Sequence, residues 1–416
     1  MKTSLIAMIA LFSACVVLGQ NNTSSPYTVF GIGEIEPIGF GATQGMGGMG
    51  LAVRSPLYLN PSNPASYGFL QEHSAILESG FFFKKNYSQT SSYKDKFTDI
   101  NLKYFALAFA PGKKLRTSFG LRPYSSIGYK ISSEQAFEGT QGSYQVEYTG
   151  AGGMNQFYVT NSYLLTKNLS LGVNLSYLWG YAEQTEFLGL AQTLSYDINT
   201  RTTTYMGGLN LDYGLQYTSK IKGDWHFTLG MVFDNASKIH TEESKLNYRS
   251  LVGVPFDTLS QSEETLADIV FPHSGGIGLA IGKGNQLTLT ADVYHQRWAD
   301  VKSWNNLSED LQNSTRYSIG AEFFPNPGNT SYFGNMAFRM GAHFTQSNLK
   351  LKNNQINEYG FSAGLGLPMG KLGYTNLSYQ YTSRGTTADN LIKENSHTIS
   401  VNLSLKDLWF MKAKSN

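Results

Sequence analysis

The chain has 416 residues, of which only 15% are charged against 13% aromatic, with 43 glycines and a net charge of +2. So even a charge balance excludes a nucleic-acid surface, which needs a concentrated basic face. Beyond the first residues no apolar run approaches the roughly 20 residues of a membrane-crossing helix, and one cysteine excludes a disulfide framework, so a secreted β-sandwich array and a membrane barrel remain.

Lys2 and the apolar stretch Leu5 to Leu18 read as a secretory signal. Val17 and Gly19 occupy the two positions a signal peptidase inspects, which predicts a signal peptide over 1–19 and a mature start at Gln20. Phe12-Ser13-Ala14-Cys15 loosely matches a lipoprotein processing box. The apolar Val16-Val17-Leu18 that follow argue instead that Cys15 is signal filler.

Residues 20–73 lack the pattern of membrane strands. They hold a Gly-rich run and the tract Asn60-Pro61-Ser62-Asn63-Pro64-Ala65-Ser66-Tyr67, and they precede the strands as a block that must either dangle or fill a lumen. Small residues such as Gly45 to Gly50 allow close packing on an inner wall, so a lumen plug is expected. Gly45-Met46-Gly47-Gly48-Met49-Gly50 formally satisfies the dinucleotide-binding glycine spacing. Neither the preceding strand nor the following helix that this motif requires is evident, and no cofactor is expected. Asn63, Pro64 and Ala65 have two readings: a plug turn that moves when ligand binds, or a rigid anchor.

From 74 to 416 the period-2 pattern of a barrel wall recurs. The predicted strands are 74–86, 97–111, 115–131, 154–166, 168–184, 203–219, 222–237, 270–283, 285–298, 315–325, 334–346, 357–368, 371–384 and 395–406. Leu169, Leu171, Val173, Leu175, Tyr177, Trp179 and Tyr181 share one face of the fifth; Ser170, Gly172, Asn174, Ser176 and Gly180 share the other. An apolar face ending in aromatics suits lipid and its interface, and a small, polar face suits a barrel interior. Connections alternate between tight turns, such as Pro111-Gly112-Lys113-Lys114 and Gly282-Lys283-Gly284-Asn285, and long ones at 132–153, 185–202, 238–269 and 299–314, with shorter members of the long set at 87–96, 347–356 and 385–394. Short turns at one rim and long loops at the other are what an outer-membrane barrel requires; a sandwich has no reason for that rhythm. The fold expected is therefore all-β: a transmembrane antiparallel barrel of about fourteen strands with an N-terminal lumen plug.

Pro123 interrupts the third predicted strand, just after Gly120. A strand proline cannot donate to the ladder, and a closed barrel has no free edge on which to hide that loss. Either a lateral opening or a local bulge follows. In the loop 238–269, Leu246, Tyr248, Leu251, Val252, Val254, Pro255 and Phe256 stand among Glu242, Glu243, Glu263 and Glu264. Leu251 and Phe256 are candidates for capturing a greasy ligand, for meeting another protein, or for folding inward upon their own loop. The seven histidines are widely spaced, and His273-Ser274 and His295 resemble no hydrolase motif, so neither metal nor catalytic residues are expected and the protein is read as no enzyme.

Asn63-Pro64-Ala65 behind a Gly-rich segment resembles the N-terminal hatch of the FadL-like family of outer-membrane transporters. So do Phe271-Pro272 through Ala291-Asp292-Val293-Tyr294 to Trp298, and then Arg316-Tyr317-Ser318-Ile319-Gly320 and Arg339-Met340-Gly341, which look like its next two strands. The opening Ser25-Pro26-Tyr27-Thr28-Val29-Phe30-Gly31-Ile32-Gly33 is similar to the Bacteroidetes-type branch. The resemblance spans essentially the whole mature chain and implies a barrel of about fourteen strands with a hatch in its lumen. It also implies uptake of hydrophobic molecules such as long-chain fatty acids or aromatic hydrocarbons, which leave sideways where the third strand is kinked. Other relatives are not transporters, and one branch shuttles cargo in a secretion system. The expectations are thus passive uptake of small hydrophobic molecules in the bacterial outer membrane, with lipid as neighbour. The alternative is a non-transporting barrel subunit of an outer-membrane protein assembly or secretion complex, with other outer-membrane proteins as partners.

Overall fold

The computed structural model describes residues 25–136, 143–190, 196–251, 254–301 and 311–409; the expected signal peptide lies outside them. Eighteen strands belong to one sheet. Four do not build the wall: β1 (Glu34–Ile35), β9 (Ser237–Leu251), β10 (Val254–Thr265) and β11 (Ile269–Phe271). The other fourteen close an antiparallel barrel. Its first half is β2 (Ser74–Gln89), β3 (Lys94–Phe109), β4 (Leu115–Ala136), β5 (Ser143–Leu164), β6 (Leu169–Leu190), β7 (Asp197–Lys222) and β8 (Trp225–Asp234). Its second half is β12 (Ser274–Lys283), β13 (Leu287–Gln296), β14 (Ser314–Phe323), β15 (Ala337–Leu351), β16 (Asn354–Pro368), β17 (Gly373–Gly385) and β18 (Lys393–Leu408). β8 pairs with β12, and β18 returns to β2 with Lys393 opposite Gln89 and Leu408 opposite Ser74.

The wall follows the alternation in the sequence. On β6, Leu171, Val173, Leu175, Tyr177 and Tyr181 are exposed on the outside, while Ser170, Asn174, Ser176 and Leu178 are buried inside. Outward apolar side chains recur on every side, from Ile277, Leu289 and Ile319 to Phe361, Ile399 and Val401. That belt is the surface a lipid-facing barrel must have, since hydrocarbon offers no partner to a polar group.

Several expected loops are strand. The described parts of 132–153 and 185–202 become the far ends of β4, β5, β6 and β7, and most of the described part of 238–269 becomes the β9–β10 ribbon, with β9 paired to β7 from Asp197–Ser250 to Gly208–Ile239. β10 and the last residues of β4 are exposed on both faces, and the buried positions of β9 are mixed polar and apolar (Ser237, Ile239, Thr241), so no continuous apolar face is required and the period-2 signal fades. The 347–356 connection shrinks to a two-residue turn, Lys352-Asn353, with φ of 49° and 67°. Positive φ at both positions is what a turn of primed hand needs to match strand twist. The predicted strand 270–283 is split at Pro272-His273 into β11 and β12.

Residues 25–73 pack against the inward-facing side of the wall. Two wall glycines show how closely. A Cβ on Gly214 of β7 would stand 2.2 Å from Asn63 Oδ1, and one on Gly341 of β15 would stand 2.2 Å from the Gly47 nitrogen. Phe40 stacks on Tyr104 of β3, with ring centroids 3.6 Å apart, and joins Leu59, Tyr67 and Ile76 in one buried cluster. Across the lumen, buried Arg339 of β15 donates from Nε to Glu322 of β14 at 2.7 Å and lies 5.4 Å over the Tyr58 ring. Tyr58 in turn donates to Glu322 at 3.2 Å.

Candidate functional site

The wall has one weak seam among the described residues. β3 and β4 pair from Phe109–Thr117 only as far as Phe105–Leu121, although both strands run on. On its other side β4 stays paired with β5 up to Ala136–Ser143, with a register shift between Pro123 and Ser125. Pro123 thus sits where β4 leaves β3, and the bulge and the parting of strands occur together. Gly120 is the residue before the last pair. A Cβ there would meet Tyr158 Oη at 2.6 Å and the Phe105 carbonyl at 2.7 Å, so no larger side chain fits.

The edge that β4 frees is taken by the N-terminal segment. Ile35 pairs with Ser125 and Glu34 with Ser126, and the Glu36 nitrogen donates to the Tyr124 carbonyl at 3.0 Å. Further along, the Ser25 nitrogen donates to the Gly128 carbonyl at 2.8 Å, and Thr28 Oγ1 accepts from the Gly128 nitrogen at 3.1 Å. Backbone groups that would otherwise be unpaired inside a barrel wall are satisfied in this way. Gly33, at φ +84°, permits the approach, since a Cβ there would lie 2.3 Å from the Ser126 carbonyl oxygen.

The same segment is held on its far side by ions. Arg384 of β17 donates to Ser25 Oγ at 2.9 Å and forms pairs with Glu34 at 3.4 Å and Glu394 of β18 at 2.6 Å. Lys84 of β2 lies 3.6 Å from Glu34, Ser25 Oγ donates to Glu394 at 2.8 Å, and the Tyr27 hydroxyl donates to the Ile392 carbonyl. Burial alone would raise the Glu34 carboxyl, but Arg384 and Lys84 beside it hold it below its ordinary value. Residues 25–36 therefore form a strap from β4 to the β17–β18–β2 wall. Nothing in the sequence announced it: Glu34, Arg384 and Glu394 are far apart along the chain, and none stands in a motif.

Beside the parted seam lies a cavity of about 90 Å³, bordered among others by Pro64, Arg122, Tyr124, Asp234, Phe271 and Trp298. Tyr124 stacks on Phe271 at 5.8 Å, and Phe271 leans on Trp298 at 6.0 Å. Arg122 donates from Nε to Gln156 at 2.7 Å, and Asp234 accepts from Ser274 at 2.7 Å and from Tyr294. Among the described residues, Arg122 Nη1 and Trp298 Nε1 make no hydrogen bond to protein.

Asn63, Pro64 and Ala65 are fully enclosed. Asn63 Oδ1 accepts from the Ala65 nitrogen at 2.9 Å, capping the short helical turn Pro64–Phe69. Its Nδ2 donates to the carbonyls of Leu51 at 2.8 Å, Leu215 at 3.2 Å and Met231 at 3.3 Å. The motif thus ties the segment to itself and to β7 and β8, and Pro64 brings it to the cavity beside Arg122. Leu251 and Phe256 are elsewhere: both are exposed on the β9–β10 ribbon, where Phe256 lies 5.0 Å from the Tyr196 ring. No group of three metal-ligating side chains occurs among the described residues.

A family model described as BamG matches residues 1–416. No curated protein matches in sequence. Among solved structures, the "CymD monoaromatic hydrocarbon channel" aligns with a TM-score of 0.58 at 14% identity, over 92% of this chain and 100% of that one. The Pseudomonas putida toluene transporter TodX aligns at 0.59 and 16% identity, over 91% and 100%. A Pseudomonas aeruginosa FadL homologue aligns at 0.58 and 12% identity, over 91% and 100%. At such identities the likeness is one of fold.

Proposed function

Given that the chain belongs to the BamG family, we propose that it is a bacterial outer-membrane barrel that passes small hydrophobic molecules sideways into the bilayer through the β3–β4 seam. The observation that carries this reading is the end of β3–β4 pairing at Phe105–Leu121, next to Pro123. Barrels with the same fold include two toluene transporters and a monoaromatic hydrocarbon channel, which supports hydrophobic cargo. The aromatic trio Tyr124, Phe271 and Trp298 offers such cargo flat contacts, while Arg122 and Trp298 offer donors to a polar end, favouring a fatty-acid-like molecule over a bare hydrocarbon. In this reading residues 20–73 are a hatch, Asn63-Pro64-Ala65 is its fixed hinge point, and the strap 25–36 moves. The strap includes Ser25 to Gly33, the stretch that resembles the Bacteroidetes-type branch.

One observation favours the second reading, a non-transporting subunit of an outer-membrane assembly or secretion complex. The lumen cavities measure about 90, 70 and 180 Å³, whereas ligand sites usually need about 300 Å³ or more. Passage requires the strap to move.

The test is a reversible lock. Cysteines at Ile35 and Ser125, which face each other across the β1–β4 pair, would fasten the strap; the only cysteine in the sequence is Cys15. In proteoliposomes, uptake of oleate or toluene should stop on oxidation and resume on reduction. Uptake that ignores the lock removes the seam as the route. No uptake by the unlocked protein gives the lead to the subunit reading.

A further inference from the structure

β10 is a sheet edge standing clear of the wall. Its ladder partners all lie on β9, and each of its twelve residues is exposed. Val254, Phe256 and Leu259 are 66%, 61% and 50% exposed. Folded proteins rarely leave so long an edge open, because its unpaired N–H and C=O groups template the addition of another strand. The usual safeguards are partial here. Pro255 and the register shifts after Pro255 and Thr258 disturb the distal half, but Gln261 to Thr265 pair regularly with Leu246 to Glu242.

The charges indicate what would pair with it. β10 carries Asp257, Glu263 and Glu264 and no basic residue. Asp257 is matched by Arg249 on β9 at 2.5 Å. Glu263 and Glu264 form no ion pair among the described residues, and Glu264 stands directly across from Glu243, with Glu242 next on the same strand. Like charges directly opposite in a ladder are destabilising, so this end of the ribbon gains from a cation brought alongside. A second copy of the chain would bring the same carboxylates and no cation.

We propose that β10 is a docking edge for an extended segment of a partner protein, rich in lysine or arginine, that adds as a further strand with its cations beside Glu263 and Glu264. Main-chain hydrogen bonds would supply affinity, and the acidic end would set the register. This stands independently of any route through the lumen.

The full-length protein in detergent micelles would be titrated with a short fluorescent peptide alternating lysine with valine. A matched peptide N-methylated at alternate residues cannot donate along one edge. The unmodified peptide should bind, with about tenfold weaker binding for the Glu263→Lys/Glu264→Lys variant and for the methylated probe. Unchanged heat-modifiable migration in gels would show that the variant keeps its barrel. The proposal fails if the unmodified peptide does not bind, or if the methylated peptide binds equally, which would leave charge adhesion alone. It also fails if the variant binds as well as the parent, or if the protein dimerises through β10 without peptide.

Discussion

Leu121 faces Phe105 across the seam and is the last residue of β4 to face β3; two residues later Pro123 turns the strand to the strap. Removing residues 25–36 would strip Tyr124, Ser125, Ser126 and Gly128 of their backbone partners. The expected outcome is a leaky barrel, seen as new conductance in planar bilayers. A deletion variant that folds and stays silent would show that the strap does not close the seam.

Asn63 is both a cap and a three-carbonyl donor. Asn63→Ala should cost about 1–3 kcal/mol of unfolding free energy and expose the N-terminal segment to protease. Asn63→Asp keeps the cap acceptor but loses the donor. A carboxylate oxygen facing three carbonyls at a buried position should make it at least as costly as the alanine, and parity with the parent would show the carbonyl bonds to be idle.

Gly172 of β6 tests how tightly the segment is seated. A Cβ there would lie 2.2 Å from the Pro64 carbonyl carbon, while one on Gly112 would touch nothing within 4 Å. Gly172→Ala should lower stability by about 1–3 kcal/mol or displace the segment. Gly112→Ala should stay within about 0.5 kcal/mol of the parent in the same unfolding measurement.

The Arg339–Glu322 pair is almost wholly dry, with side chains 2% and 8% exposed. Glu322→Gln would strand a buried guanidinium, at a cost of about 3–5 kcal/mol. Replacing both, as Glu322→Leu with Arg339→Met, should cost less. If the double variant is the worse of the two in thermal unfolding, the pair stabilises by more than mutual neutralisation.

Orientation is checked with tags. An epitope at Ser260 on the β9–β10 ribbon should be detected on intact cells, and epitopes at Gly112 or Gly284 only after permeabilisation. The reverse pattern would invert the barrel in its membrane.

Much of the wall was legible because lipid on one side and packed polar groups on the other impose a strict period of two, as on β6. The far ends of β4 to β7 and the β9–β10 ribbon were not, because β10 and the end of β4 are exposed on both faces and the buried face of β9 mixes polar with apolar residues. Pro123 stood out through its missing N–H, which left a lateral opening and a local bulge both open; the sequence could not say that β3 and β4 part beside it. The strap did not show itself: Ser25–Gly128 and Glu34–Arg384 are long-range partners, and a short stretch such as Glu34-Ile35 has no periodicity to read. Leu251 and Phe256 stood out as apolar residues in a polar stretch, but composition could not tell a ligand trap at the lumen from an exposed ribbon.

The wall closes by joining β18 to β2, so that Ser88 and Glu394, 306 positions apart, become neighbours. Non-local pairing of this kind is slow, because the loop must be closed before any contact rewards it. Residues 25–73, already bulky with Phe40, Tyr58 and Tyr67, are synthesised before every strand that surrounds them. They cannot be threaded through a finished cylinder whose inner face they touch on all sides. The nascent sheet must therefore curl around its own N-terminal segment, which acts as the mandrel on which the cylinder is formed. Loss of the bulky part of that segment, residues 40–73, should appear first as a failure of the strands to close, whereas the strap 25–36, which borders only the seam and the β17–β18–β2 wall, can be removed from a barrel that still forms.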